Sequence, residues 1–164
     1  MSIVGALGFF VLTSLLGIAA AYDLRERIIP NWLSAVIAGA GLVYALVAFG
    51  PAGMLQAGLA GLGLLALGFG LFGLGLWGGG DGKLIGAVAV WFAWPAMLAV
   101  LFWIALWGGV MAAVMLLGRR GFTAETAPRW MVASGFLDDN PSIPYGVAIS
   151  LGALTALVQG AFLV

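Results

Sequence analysis

Cysteine and histidine are both absent from the chain, and charge is scarce: six lysines and arginines and six aspartates and glutamates make up 7% of 164 residues. The lack of cysteine excludes disulfides, zinc–thiolate sites and thiol nucleophiles. The lack of histidine removes the side chain that most often serves as a general base near neutral pH, and with it the commonest metal ligand. Acid–base chemistry is left to a few carboxylates, a lysine and the tyrosines, and no metal site is expected. The charges sum to zero, which argues against nucleic acid as a partner.

What is present is mostly apolar. Hydrophobic residues make up 64% of the chain, and the mean hydropathy is +1.19. A soluble domain carries roughly 25% charged residues. A chain this poor in charge cannot cover a water-facing surface, so its solvent is the lipid bilayer. The opening Met1-Ser2-Ile3-Val4-Gly5 lacks the basic start of a secretory signal, and the apolar run behind it is too long for one. A retained span is expected there.

A span needs about 20 apolar residues. Spans are expected at about 3–22, 33–49, 52–77 and 143–164. Residues 84–118 form one apolar stretch, long for one span and slightly short for two. Charge placement decides between these. All twelve charged residues lie in three places, 23–27, 81–83 and 119–139. A turn near Trp94-Pro95 makes six spans and puts all three places on one side, the cytosolic side, where Lys and Arg concentrate. The expected fold is an all-α, polytopic membrane helix bundle of about six transmembrane helices. Both termini are extracytoplasmic, and residues 1–164 form a single membrane-embedded domain. The third span is dense in small residues: Gly53, Ala57 and Gly61 are four apart, and Gly61, Gly68 and Gly75 seven apart. Such spacings let helix backbones approach closely in lipid. Trp32, Trp77, Trp94 and Trp130 read as interface anchors.

Two carboxylates stand out by position. Asp23 follows the first span, and Asp81 stands between the third and fourth, so six spans put both at one membrane face. The first and fourth helices need only be neighbours for the carboxyls to meet. Two carboxyls a few Å apart share a proton, because both cannot ionise easily. One member then activates water while the other protonates a leaving amine. The plainer alternative is a pair of interfacial anchors, Asp23 paired with Arg25 or Arg27 and Asp81 with Lys83. Gly78-Gly79-Gly80 keeps side chains away from Asp81, so an extended backbone could approach it closely; a glycine C-cap of the third span is a compatible role. Pro30 fits the first turn of the second span, Asn31 a turn or cap, and Lys83 either holds an aspartate ionised or snorkels to headgroups.

Asp81 within Gly78-Gly79-Gly80-Asp81-Gly82-Lys83, and Asp23 ahead of Ile29-Pro30-Asn31, resemble the type IV prepilin peptidase family. Its members carry a first catalytic Asp a few residues before Ile-Pro-Asn and a second in Gly-x-Gly-Asp. Pro144-Tyr145-Gly146, opening the last span, is similar to a third family element. The resemblance implies that Asp23 and Asp81 are catalytic. It also implies that Gly78, Gly80, Lys83, Pro30, Asn31, Pro144, Tyr145 and Gly146 support the site or bind substrate. The implied activity is a membrane aspartyl endopeptidase of the inner membrane, removing prepilin leaders at the cytoplasmic face with no cofactor. Larger members carry paired cysteines associated with N-methylation of the product. Lacking cysteine, this chain resembles the short members that process Flp-type pilins of tight-adherence systems, or archaeal preflagellin peptidases, and N-methylation is not expected. The rival classes are a small ion- or proton-coupled transporter, with both aspartates binding the ion, and a structural assembly subunit. A transporter places polar residues near the bilayer midplane, where this chain is nearly free of ionisable groups.

Overall fold

The computed structural model describes residues 2–75, 77–121 and 143–160. Most of the third charged segment, Trp130 and the end of the last expected span lie outside these residues. The described chain is all-helical. Helix α1 (Ile3–Glu26) opens on Ser2, whose hydroxyl accepts the Gly5 N–H at 3.0 Å, and closes on Arg27 in the left-handed region at φ 55. The Arg27 N–H returns to the Asp23 carbonyl at 3.1 Å. The helix therefore runs past the expected end of the span and takes Asp23 into its last turn. Pro30 then bars the helical region to Ile29 and becomes the N-cap of α2 (Asn31–Gly73), one residue earlier than the first-turn position expected for it.

At 43 residues α2 measures about 64 Å of helix rise, twice the thickness of a hydrocarbon core. It is not one rod. Gly50 sits at φ 72, ψ −170, a conformation essentially confined to glycine, and Pro51 starts the helix afresh behind it. A Cβ on Gly58 would lie 3.6 Å from a Leu42 methyl. Those residues are equally far on either side of Gly50, so arms 31–49 and 51–73 fold back into a hairpin.

The second arm ends at Gly73, and Gly75 takes the left-handed position beyond it at φ 72. Gly75 is thus the residue that ends this helix. Gly78 instead begins the next one as the N-cap of α3 (Gly79–Ala89), which corrects both the C-cap role expected for residues 78–80 and the packing role expected for Gly75. Helix α3 is only 11 residues long, and it is buried on every side from Leu84 onward. A single turn of 3₁₀ helix at Trp94–Ala96, with Pro95 inside it, separates α3 from α4 (Met97–Gly121). The break falls where the charge argument placed a turn. The last described helix, α5, is Tyr145–Val158.

Helix α3 packs mainly on α2, and α4 mainly on α5; α1 packs on α5 and α2. The α2–α3 contact is made by glycine facing glycine. A Cβ on Gly68 would stand 2.5 Å from the Gly82 Cα, and one on Gly86 would stand 3.1 Å from the Gly61 carbonyl oxygen. This is the close approach expected of Gly61 and Gly68. Toward the other end, buried Trp91 stacks on Tyr44 with centroids 5.5 Å apart and donates its indole N–H to the Ile37 carbonyl at 2.9 Å.

Large apolar side chains point outward along the long helices: Phe10, Val43, Leu59, Phe102 and Leu117 are all exposed. Among the described residues, three helices, α1, α2 and Trp94–Leu117, are long and apolar enough to cross a membrane. Large apolar side chains on the outside, with glycines at the helix contacts, are what a lipid solvent requires. The protein is an integral membrane protein. Trp32 and Trp94 are exposed, as anchors would be, whereas Trp77 packs partly against the core.

Candidate active site

Three helix ends converge at one end of the bundle: the last turn of α1, the first turn of α3 and the first turn of α5. Asp23 comes from the first. Only 5% of it is accessible, and its carboxylate Oδ2 accepts the Val147 N–H at 3.2 Å. Val147 is in the first turn of α5, and its N–H is shared between Asp23 and the Pro144 carbonyl at 3.1 Å. Asp23 thus caps a helix from another part of the chain, 124 residues away.

Gly146 makes that contact possible. A Cβ there would stand 2.9 Å from both Cγ and Oδ2 of Asp23, and 2.9 Å from Cδ1 of Ile29. Pro144 supplies the N-cap position, where no N–H is required. The Tyr145 ring lies against Gly108 of α4, at 3.4 Å from a Cβ built there. The three residues of the Pro-Tyr-Gly segment therefore do three different things.

Asp81 is the third residue of α3 and is half-buried. Its side chain turns back over the N-cap: the Gly78 N–H bonds to its carboxylate, and a Cβ on Gly78 would come within 2.8 Å of Oδ2. This is the reaching-back half of a capping box, with glycine at the cap because the carboxyl occupies the space. Asp81 precedes the apolar run that starts at Leu84. Burial first, and then the negative charge of Asp23, push its carboxyl up to about 6 against the opposing Gly78 hydrogen bond.

The two acids are therefore within electrostatic reach of each other. Their helices do not lie side by side, as the dyad had been expected to require; α1 and α3 both pack on α2 and α5 instead. What joins them is Ile29, buried between Gly146 on one side and Gly80 on the other, where a Cβ would meet the Ile29 Cβ at 3.7 Å. Ile29 was read only as part of a motif. Its place between those two glycines has no local signature.

Asn31 and Lys83 are brought together as well. The Lys83 ammonium donates to the Asn31 side-chain oxygen at 2.9 Å, tying the start of α2 to the start of α3. Neither of the roles expected for Lys83, nor the cap expected of Asn31, is the contact seen. Among the described residues no group of three or more acidic side chains is placed to hold a metal ion.

The model of the type IV leader peptidase family matches residues 10–113. That range holds Asp23, Ile29-Pro30-Asn31 and Asp81 with its glycines; Pro144-Tyr145-Gly146 lies beyond it. No curated protein and no solved structure matches the chain. The match covers well over half of the sequence, and the chain belongs to the type IV leader peptidase family, the membrane proteases that act on prepilins.

Proposed function

We propose that the chain is an aspartyl endopeptidase which removes the leader of a Flp-like prepilin, with Asp23 and Asp81 as the catalytic pair. The observation that carries this reading is the pair itself: two acids from distant parts of the chain, each on a helix end, close enough for one charge to raise the other's affinity for a proton. One carboxylate takes a proton from water as the water oxygen attacks the scissile carbonyl carbon. The other, protonated, gives its proton to the amide nitrogen as the C–N bond breaks. The water is consumed, and the pair ends with one shared proton, as it began. Neither a metal nor a cofactor is needed.

Gly80 fits a substrate role. A methyl there would meet only ordinary contacts within the protein, so the fold does not require glycine, whereas an extended substrate backbone lying over Asp81 would. Pro30, Asn31 and Lys83 support the site by fixing the α2 start against α3. The whole chain is read as one membrane-embedded domain of six spans: α1, the two arms of α2, α3, α4 and α5. Both termini face outward, the charged ends face the cytosol, and the protein resides in the inner membrane. The leader of the prepilin arrives from the cytosol and its apolar helix lies in lipid.

Co-expression with a Flp-type prepilin tests the activity, leader removal being read as a gel shift. Cleavage is expected for the native chain and none for Asp23→Asn or Asp81→Asn at equal protein levels; full cleavage by either variant would falsify the pair. Reporter fusions after Arg27, Lys83 and Arg120 should report cytosol, and one after Gly50 the exterior. An exterior signal after Arg120 would mean five spans.

A further inference from the structure

On the face of α3 turned from Asp81, a groove of about 430 Å³ runs between the two arms of α2 and α3. Lys83, Gly86, Ala87 and Val90 line it from α3 at helical spacing, and Gly61 and Leu65 from the second arm. Its polar atoms are confined to one end. Asn31 and Lys83 stand at the mouth, and Ser34, one turn deeper on α2, is the last polar side chain before Ala38 and Leu42.

Ser34 is the anomaly. It is 7% exposed, and its hydroxyl is the one buried side-chain polar atom among the described residues with no hydrogen-bond partner. Other hydroxyls in these helices satisfy themselves on a carbonyl one turn back: Thr13 on Phe9, Ser150 on Gly146, Thr155 on Leu151, each at 2.8 Å. Ser34 makes no such bond; the Pro30 carbonyl one turn back takes the N–H groups of Leu33 and Ser34. An unpaired hydroxyl in an apolar wall costs about 1–3 kcal/mol, so a ligand polar atom at that depth would relieve it.

We propose that this groove binds one phospholipid, its phosphate on Lys83 and Asn31, its ester region at Ser34 and one acyl chain along Ala38, Gly61 and Leu42. The order of chemistry down the groove, cation then hydroxyl then hydrocarbon, is the order found down a phospholipid. The Lys83 ammonium spends one donor on Asn31 and has two left for a phosphate. The groove lies on the face of α3 opposite Asp81 and shares Lys83 and Asn31 with the support of the aspartate pair, but lipid retention does not rest on the peptidase reading.

Native mass spectrometry of the delipidated full chain, given dioleoyl phosphatidylglycerol in detergent, tests it. One lipid should survive activation that strips the rest. Lys83→Gln and Ser34→Ala should each lower its retention roughly fivefold, the worth of one juxtamembrane cation or one hydrogen bond. Filling the groove with Ala38→Phe, or with Ala35→Trp at an exposed lining position, should abolish it; circular dichroism identifies a variant that fails to fold, and the other then decides. Dioleoylglycerol, which lacks the phosphate, should not be retained. Retention by both filled variants, equal retention of dioleoylglycerol, or stoichiometric displacement of the phospholipid by an apolar helical peptide would each overturn the proposal.

Discussion

Asp23 stands in the last turn of α1, where a helix is least hospitable to negative charge, and Asp81 in the first turn of α3, where a helix favours one. Each is held accordingly. Asp81 is seated by its own segment, through the Gly78 N–H three residues back. Asp23 has the Arg27 charge four residues on, at the C-cap of α1. It is seated as well by the first turn of α5, whose N–H groups and positive end offset the wrong end of α1. The contrast teaches that one half of the pair is made by a short motif and the other half by assembly of the bundle.

The largest effect that separates the two seats from the chemistry is on the acids themselves. In the reading proposed here both Asn variants lose cleavage by about 10³-fold or more, since each carboxyl supplies a proton-transfer step. Truncation should split them on stability. Asp23→Ala removes the carboxylate that caps α5 and should cost about 1–2 kcal/mol, the worth of a lost cap. Asp81→Ala should cost less, because it also removes a buried acid. Thermal unfolding in detergent reads the difference, and equal losses would mean that Asp23 is not what holds α5.

Next in size is Gly146→Ala. The new methyl must displace Asp23 or Ile29, and a shift of about 1 Å at a catalytic group costs on the order of 100-fold in rate. Cleavage should fall by that amount while the protein still inserts. Native cleavage in this variant would show that the seat of Asp23 is not tuned to the reaction.

The pH dependence comes third. Asp81 holds its proton below about 6 and releases it above. A pair that works on one shared proton therefore loses activity as pH rises through about 6, roughly tenfold per unit on the alkaline limb. The direction follows from the raised affinity: a carboxyl at its ordinary value would have lost the proton two units lower. Initial rates of leader removal from about pH 5 to about pH 8 check it, and a flat profile over that range would count against Asp81 as the titrating partner.

The smallest effects contrast two glycines on the second arm of α2. Gly68→Ala drives a methyl into the Gly82 backbone and should destabilise by about 1–3 kcal/mol, as overpacking does. Gly63 has nothing within 4 Å of its would-be Cβ, so Gly63→Ala should be neutral or gain up to about 1 kcal/mol from helix propensity. Unfolding midpoints of the two variants measure the gap.

Much of this was legible in the chain itself, for physical reasons. Long apolar runs and the near absence of charge dictate helices in lipid, because a continuous apolar segment there satisfies its own backbone hydrogen bonds only as a helix. Pro30, Gly50-Pro51 and Pro95 mark the breaks, since each acts on the backbone within a residue or two. Asp81 and its glycines form a unit that closes on itself, and so it could be read as one. Gly61 and Gly68 announced a close approach, though not that the partners would be Gly86 and Gly82.

What only the tertiary structure decided is everything that joins distant segments. That Asp23 is capped by Val147, that Ile29 lies between Gly146 and Gly80, that Lys83 turns to Asn31 and that Ser34 is left without a partner all depend on how helix ends meet. No periodicity encodes such meetings. They follow from close-packed helices whose crossing points are set jointly by glycines on several elements, so that a carboxyl at the unfavourable end of one helix finds the N–H groups at the start of another.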